Sequence, residues 1–238
     1  HRFIHNVMIS NFNRYPEIRI KGKDAECYSG WEGIITQLKD RINVRQDVKT
    51  VIVVECYQGI NHTELFTALE SRLSPHFVFA VSEAMLPEEK ILEITFPDVT
   101  NDRIFGYISR LRIEDFFDPD QVRQARKEID SIKKGNVLVY GTGASHVYPE
   151  PGIFIYADMA RWEIQLRMRR HEVCNLGITN PEADFETQYK RGYFVDWRVC
   201  DRLKKATAGK WDYVLDTNQW NNPKMITADA FHESMKQA

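Results

Sequence analysis

Cysteine is scarce in this sequence, and no two cysteines lie close together. The 238 residues include four, which are Cys27, Cys56, Cys174 and Cys200. They form no CxxC pair and no Cys/His pattern with metal-ligand spacing, so the sequence offers no zinc-finger or disulfide framework. We expect buried, reduced thiols and a cytoplasmic protein.

Long apolar runs and an excess of one charge are also missing. The longest hydrophobic runs are about the length of a strand, too short to span a membrane. Lys and Arg number 32 against 34 Asp and Glu, with a net charge of −2 and a pI near 6.4. We therefore expect neither nucleic acid nor an anionic membrane as a partner. The opening HRFIHNVMISNFNRYP has no apolar run or small-residue cleavage site, which argues against a signal peptide.

The apolar pattern alternates between strand and helix periods. The sequence predicts strands at TVIVVEC, FVFAVSEAM, NVLVYG, IFIYADM and WDYVLDTN. It predicts helices at WEGIITQLKDRI, HTELFTALESRL, DPDQVRQARKEIDSIKKG and ARWEIQLRMRRHEV, the third with Asp118 as its N-cap and Gly135 as its C-terminal stop. Strands separated by helices of this length indicate a doubly wound α/β fold with a mostly parallel sheet. We predict this domain over residues 46–238, preceded by an irregular and helical extension over residues 1–45.

Ligands of such sheets lie beyond the carboxyl ends of the strands. That rule selects four turns, which are Cys56 to Thr63, Ser82 to Met85, Gly141 to Ser145 and Asp158 to Arg161. Each has polar or glycine residues directly after an apolar strand. A substrate pocket formed by Asp102, Arg103, Gly141, Gly143, Ser145, Asp158 and Arg161 is predicted near these turns, although a surface ion pair explains Asp102 and Arg103 equally well.

The order of these segments resembles the P-loop kinases of the uridine kinase and phosphoribulokinase type. CYQGINHT occupies the place of GxxxxGK[ST], but Cys56, Asn61 and His62 stand where that motif has its two glycines and its lysine. Only the hydroxyl residue, Thr63, matches. The motif is therefore a degenerate Walker A loop. SEAM falls where those kinases have an acidic turn, and RWEIQLRMRR resembles their arginine-rich lid helix.

This resemblance implies roles for particular residues. Glu83 would be a general base, Thr63 a Mg²⁺ ligand and ATP–Mg²⁺ the cofactor. The implied phosphate-binding or nucleotide-binding residues are Gln58, Gly59, Ile60, Asn61, His62, Thr63, Arg167, Arg169 and Arg170. A solvated acidic turn and a solvated arginine face are the alternatives.

The loop residues themselves indicate how much function the altered motif retains. Gly59 permits close approach of the backbone, and Asn61 tolerates left-handed geometry, so a nest of amides is feasible. His62 would be partly charged at pH 7. Loss of one fixed electrostatic stabiliser typically lowers a rate by about 10²–10³. We expect binding rather than fast phosphotransfer, with a loop that is only a turn as the alternative.

A second resemblance covers nearly the whole chain. VVECYQG, FPDVTNDRIFGY, YADMARWEIQLRMRR, QYKRGYFVDWRVCDRLKK and VLDTNQWNNPKM resemble the amino-terminal region of Bacteroides-type class I mannose-6-phosphate isomerases. In that family the kinase-like region precedes a cupin isomerase domain, which these residues do not contain.

The resemblance implies a module of sugar-phosphate metabolism. It would bind a small phosphorylated ligand and serve an isomerase domain in cis or in trans. An active sugar or nucleoside kinase, a purely structural docking or dimerisation domain and a homo-oligomer are the open alternatives.

Overall fold

A computed structural model describes residues 21–44 and 49–237. Its strands are β1 (Cys27–Ser29), β2 (Thr50–Cys56), β3 (Phe77–Ala80), β4 (Asn136–Gly141), β5 (Ile153–Asp158), β6 (Tyr213–Asp216) and β7 (Lys224–Thr227). Its helices are α1 (Gly30–Asn43), α2 (His62–Leu73), α3 (Glu88–Val99), α4 (Pro119–Ser131), α5 (Ala144–Val147), α6 (Arg161–Arg169), α7 (Phe185–Arg191), α8 (Trp197–Thr207) and α9 (Ala228–Gln237). Among the described residues, no helix is long and apolar enough to cross a membrane.

The seven strands form one sheet in the order β1-β7-β6-β5-β2-β4-β3. The five strands from β6 to β3 are parallel, whereas β7 and β1 add antiparallel pairs at one edge. Numbered along the chain, the parallel strands have the order 2-3-1-4-5, which differs from the Rossmann and flavodoxin orders. Parallel strands lie on both sides of β2, and since their crossovers are right-handed as a rule, this order implies helices on both faces of the sheet. The predicted doubly wound, mostly parallel α/β fold is confirmed.

Strand β2 forms the centre of this sheet, as its sequence TVIVVEC predicts. All seven of its residues are buried, and it pairs with β4 on one side and β5 on the other. A strand covered on both faces favours β-branched apolar residues at every position. The central position of β2 brings the turn that follows it to the middle of the carboxyl edge.

Two predicted elements end earlier than expected. The strand predicted over residues 77–85 ends at Ala80 and continues as a 3-10 turn over Val81–Ala84. Helix α4 begins where predicted, because the Asp118 carboxylate accepts hydrogen bonds from the N–H groups of Asp120 and Gln121. It ends at Ser131 rather than near Gly135.

The N-terminal side of the predicted boundary at residue 45 belongs to the same core. Strand β1 pairs with β7, with Tyr28 opposite Met225, and α1 buries Ile34 and Leu38 against the core. Residues 1–20 and 45, which make up the rest of the predicted extension, lie outside the described residues.

Candidate functional site

A cleft of about 770 Å³ opens beyond the carboxyl ends of β2, β3 and β4, where ligands of parallel sheets bind. Its walls are residues 58–63, the turn after β3, the end of β4 and residues 172–179. We call it the loop cleft. It includes all six residues predicted for the phosphate loop, and it therefore coincides with the site that the sequence selected.

The loop between β2 and α2 has a left-handed glycine and a capped helix start. Gly59 has a φ of +95°, a left-handed conformation that favours glycine. Asn61 instead has a φ of −76°, and its side-chain oxygen accepts the N–H of Glu64 at 2.9 Å. Asn61 does not adopt the left-handed geometry that it tolerates, because the residue is the N-cap of α2. The α2 N-terminus, with Thr63 in its first turn, therefore opens into the cleft.

His62 stands at the position of the missing lysine but does not supply its charge. Desolvation by the surrounding protein lowers the pKa of His62 below its usual range, although the residue keeps an exposed surface in the cleft. The ring lies edge-on to Tyr140, with centroids 6.3 Å apart. A lowered pKa favours the neutral imidazole at pH 7, so the ring does not supply a fixed positive charge.

Arg167 of the predicted lid helix braces the loop. Its side chain is buried and donates hydrogen bonds to the carbonyl of Gly59 at 3.2 Å and the carbonyl of Thr217 at 3.1 Å. Its Nε donates to the Glu163 carboxylate at 3.1 Å. These bonds connect α6 with the loop and with the segment after β6, and they direct the guanidinium at protein atoms.

The other two arginines of α6 also contact protein groups. Arg169 stacks on the ring of Phe185, with its guanidinium carbon 3.6 Å from the ring centroid. Arg170 forms ion pairs with Glu163 at 3.0 Å and with Glu172 at 2.8 Å. None of the three lines the loop cleft, so their predicted contact with phosphate stays a prediction that this geometry does not favour.

Because these arginines contact protein groups outside the cleft, the charge of the cleft depends on its other lining residues. Its lining, within the described part of the chain, contains no lysine or arginine, and its acidic residues are Glu88 and Glu172. Glu88 accepts hydrogen bonds from Thr179, and Glu172 pairs with Arg170. No group of three or more potential metal ligands occurs among the described His, Cys, Asp and Glu side chains. These residues do not fit ATP–Mg²⁺, which requires cations at its phosphates and oxygen ligands at its metal.

The predicted base and part of the predicted substrate pocket lie elsewhere. Glu83 is exposed on the 3-10 turn, and its neighbour Ser82 lines the cleft instead. Asp102 and Arg103 lie on an exposed loop after α3, away from the cleft lining. The Asp102 carboxylate accepts the N–H groups of Ile104 and Phe105, so it orders that loop.

Glu55 is a buried acid that is not among the site residues predicted from the sequence. Its carboxylate accepts the N–H groups of Gly143 and Ser145 at 2.6 and 2.7 Å and the Ser145 hydroxyl at 2.7 Å. Gly141 lines the loop cleft, but the Gly143 and Ser145 amides are therefore occupied by a protein carboxylate. Burial raises the pKa of Glu55 to about 7, against the lowering effect of these hydrogen bonds. The sequence does contain a signal for this residue, which is a glutamate at the sixth position of a mostly apolar strand.

Asp158 and Arg161 line a second cavity, of about 630 Å³, beside β1, β6 and β7. Asp158 pairs with Lys204, and Arg161 pairs with Asp201, which also accepts a hydrogen bond from Tyr57 at 2.8 Å. These two residues were predicted to share a pocket with Gly141. In the structure Asp158 and Arg161 line the same cavity, whereas Gly141 lines the loop cleft.

No curated protein matches the sequence. Among solved structures, the chain is similar to a candidate fructose transport system kinase from Silicibacter sp. TM1040, with a TM-score of 0.48 and 11% identity. The match covers 72% of this chain and 94% of that chain, and at this TM-score it supports no functional argument. Neither the similarity to this kinase structure nor the family match supports the predicted relation to mannose-6-phosphate isomerases. Residues 30–238 match a family model, and the chain belongs to that family, which is described as a domain of unknown function, DUF8485.

Proposed function

We propose that this chain is a ligand-binding module of kinase-like α/β architecture. It holds a small sugar monophosphate in the loop cleft and transfers no phosphoryl group at a useful rate. One observation carries the proposal: the N-terminus of α2 opens into a cleft whose described lining has no Lys or Arg and only a neutral histidine.

The N-terminus of α2 is suited to bind one phosphate group. The first N–H groups of a helix have no intrahelical acceptor, and the helix dipole is equivalent to about half a positive charge there. That charge suits one phosphate group in a cleft without other cations. It is too small for a triphosphate, whose additional negative charges would approach Glu88 and Glu172.

Four hydroxyl groups in the cleft are suited to hydrogen-bond with the sugar. The side chains of Thr63, Ser82, Tyr140 and Thr142 line the cleft, and none is hydrogen-bonded to another described residue. Hydroxyl groups donate and accept, so they match the alternating donors and acceptors of a polyol. By contrast, the Gln58 side chain is occupied by Cys174 and Trp197.

The altered loop explains why binding is not followed by transfer. The lysine that would contact the transferring phosphate is replaced by a neutral ring, and Arg167 is directed at the Gly59 carbonyl. Losing one such stabiliser lowers a rate by about 10²–10³, and here two are absent. An active kinase remains the competing function, because Thr63 keeps its place in the first turn of α2.

Calorimetric titration with mannose 6-phosphate, ADP and ATP–Mg²⁺ tests the ligand class. We expect mannose 6-phosphate to bind with a Kd of about 0.1–1 mM, corresponding to roughly 4–5.5 kcal/mol, and both nucleotides to bind more weakly. Absence of heat with mannose 6-phosphate at ten times that concentration would contradict the proposal. Tighter binding of ATP–Mg²⁺, together with radiolabel transfer, would establish the kinase instead.

A matched pair of charge variants tests the location. Thr63→Glu puts a carboxylate in the first turn of α2, where it favours the helix dipole but repels an anion in the cleft. Thr67→Glu makes the same charge change one turn farther along, at an exposed position. We expect the first variant to lose binding at least tenfold without loss of helix content, and the second to bind normally.

The isomerase partner and the cytoplasmic location are separate proposals, supported by the sequence resemblance and the cysteine usage. Size-exclusion chromatography of this chain mixed with a purified cupin-type mannose-6-phosphate isomerase tests the partner. Co-elution would support the association, and separate elution at 50 μM each would argue against it.

A further inference from the structure

A group of large apolar side chains lies on the surface around the C-terminal end of α3. Its members are Leu92, Phe96, Ile104, Phe105, Tyr107 and Ile108, and each is between 49% and 70% exposed. We call this group the apolar patch. Single exposed apolar side chains are ordinary, whereas several large ones in one region of a surface mark a site of interaction.

The loop that carries the patch is fixed by hydrogen bonds. The Asp102 carboxylate accepts the N–H groups of Ile104 and Phe105 at 2.7 and 2.6 Å. Further along, the Tyr107 N–H donates to the carbonyl of Asp98 at 2.7 Å. These bonds hold Ile104, Phe105 and Tyr107 outward in a defined arrangement.

Two cations anchor the same loop, of which Lys190 is buried and Arg202 is half-buried. Lys190 donates to the carbonyls of Thr100 and Asp102, and Arg202 donates to those of Ser109 and Leu111. The loop also packs closely on α3 at Gly106, where an added Cβ would lie 2.4 Å from the Asp98 carbonyl oxygen. A surface held in its binding conformation loses less entropy on association.

A recess adjoins the apolar patch, because two of the patch residues, Tyr107 and Ile108, line it. It has a volume of about 500 Å³ and is lined by Asp98, Tyr107, Ile108, Arg110, Leu111 and Asp115. The patch therefore has both a projecting aromatic side chain and a partly apolar hollow. A surface with both features can be complementary to itself across a twofold axis.

Unpaired charges of both signs surround the patch. Arg103 and Arg110 form no ion pair or side-chain hydrogen bond with another described residue, nor does the carboxylate of Asp98. A surface that carries unpaired cations and an unpaired acid can pair with a copy of itself, whereas a uniformly anionic partner would satisfy only the arginines.

We propose that a second copy of this chain covers the apolar patch in a twofold dimer, with Phe105 of each copy seated in the recess of the other. The area agrees with this occupant, because six half-exposed or more exposed side chains and their rim approach the ~800 Å² that each partner contributes to a standard interface.

Sedimentation velocity of the 238-residue chain between 1 and 100 μM tests the proposal. We expect a monomer–dimer equilibrium in this range. Phe105→Ser removes the projecting ring and is expected to weaken the dimer at least tenfold, as truncation of a central aromatic residue does. Trp220→Ser is the control, because Trp220 is 59% exposed on the segment between β6 and β7. Circular dichroism of both variants checks that the fold is intact.

Mixing two charge variants identifies the geometry. Asp98→Arg and Arg110→Glu chains should each self-associate less than the unaltered chain, and their mixture should form a heterodimer. A chain that stays monomeric at 100 μM overturns the proposal, as does a dimer that Phe105→Ser leaves unchanged. Monomeric protein that co-sediments with vesicles containing 30% phosphatidylserine would assign the patch to a membrane surface instead.

Discussion

The Nη1 group of Arg167 donates a hydrogen bond to the carbonyl oxygen of Gly59 across 3.2 Å. The two residues are 108 positions apart, and the bond connects the predicted lid helix with the predicted phosphate loop. Because the Gly59 carbonyl accepts this bond, α6 helps to fix the turn of the loop. The same arginine holds the carbonyl of Thr217, so one side chain fixes three segments.

Replacing Arg167 with methionine should therefore destabilise the fold. Removing one partner of a buried, hydrogen-bonded ion pair typically costs about 3–5 kcal/mol, and we expect about 3 kcal/mol because Glu163 keeps Arg170 as a partner. Urea denaturation measures the free energy of unfolding. Arg169→Met is the matched control, since it loses only an exposed stack on Phe185, about 0.5–1 kcal/mol. Equal losses in the two variants would show that Arg167 does not brace the loop.

Gly59 should tolerate a side chain only if α6 gives way. Its φ of +95° strains any other residue by about 1–2 kcal/mol, and an added Cβ would lie 2.8 Å from Cγ1 of Ile164. We expect Gly59→Ala to cost more in the wild-type background than in an Ile164→Ala background, with a coupling of about 1 kcal/mol or more. A double-mutant cycle by urea denaturation measures this coupling.

The control for that cycle is Gly33→Ala in α1, where the added Cβ meets nothing within 4 Å. There we expect a gain of about 0.5–1 kcal/mol from helix propensity. Strict additivity of Gly59→Ala with Ile164→Ala would contradict the predicted contact between the loop and α6.

The sequence was sufficient for features that depend on neighbouring residues. TVIVVEC predicts a fully buried strand because every position is apolar or small except Glu55, and β2 has those bounds. Asp118 followed by Pro119 predicts a helix start, since capping is a local hydrogen bond. The position of the cleft follows from the topological rule for parallel sheets.

Features that depend on distant residues could not be predicted. The arginines of α6 have the pattern of a phosphate-binding face, yet their partners Gly59, Thr217 and Phe185 are distant along the chain. Likewise, Gly143 and Ser145 have the pattern of a ligand turn, but Glu55, at least 88 residues away, occupies their amides. A sequence shows which groups are available for a ligand but not which are already bonded within the protein.

Glu55 should make stability depend on pH. Its folded pKa, about 7, lies above the ordinary value of 4.5, so the folded state binds a proton more tightly than the unfolded state does. The favourable contribution is complete below pH 4.5 and is lost as the pH rises to about 7. A shift of this size corresponds to about 3 kcal/mol.

Glu55→Gln should remove this dependence, because the amide does not titrate. We expect the variant to lose less stability than the wild type between pH 5 and pH 8, although it cannot accept both backbone N–H groups and is less stable at pH 5. Urea denaturation of both proteins at several pH values checks the difference. Parallel curves for the two proteins would show that Glu55 titrates outside this window.

Asp102 should control the order of the loop that carries the apolar patch. Its carboxylate accepts two backbone N–H groups, and these bonds hold its pKa below the usual range. Asp102→Ala removes both acceptors, so we expect the amides of Ile104 and Phe105 to exchange with solvent about five- to tenfold faster, as for the loss of about one kcal/mol of hydrogen bonding.

Hydrogen exchange by NMR in dilute protein measures this loop separately from any association. Asn101→Ala is the control, because Asn101 is exposed and adjacent but makes no side-chain hydrogen bond to another described residue. Faster exchange confined to the Asp102 variant, with unchanged exchange in β2, would show that this carboxylate fixes the outward positions of Ile104 and Phe105. Equal exchange in both variants would leave Lys190 and Gly106 as the residues that order the loop.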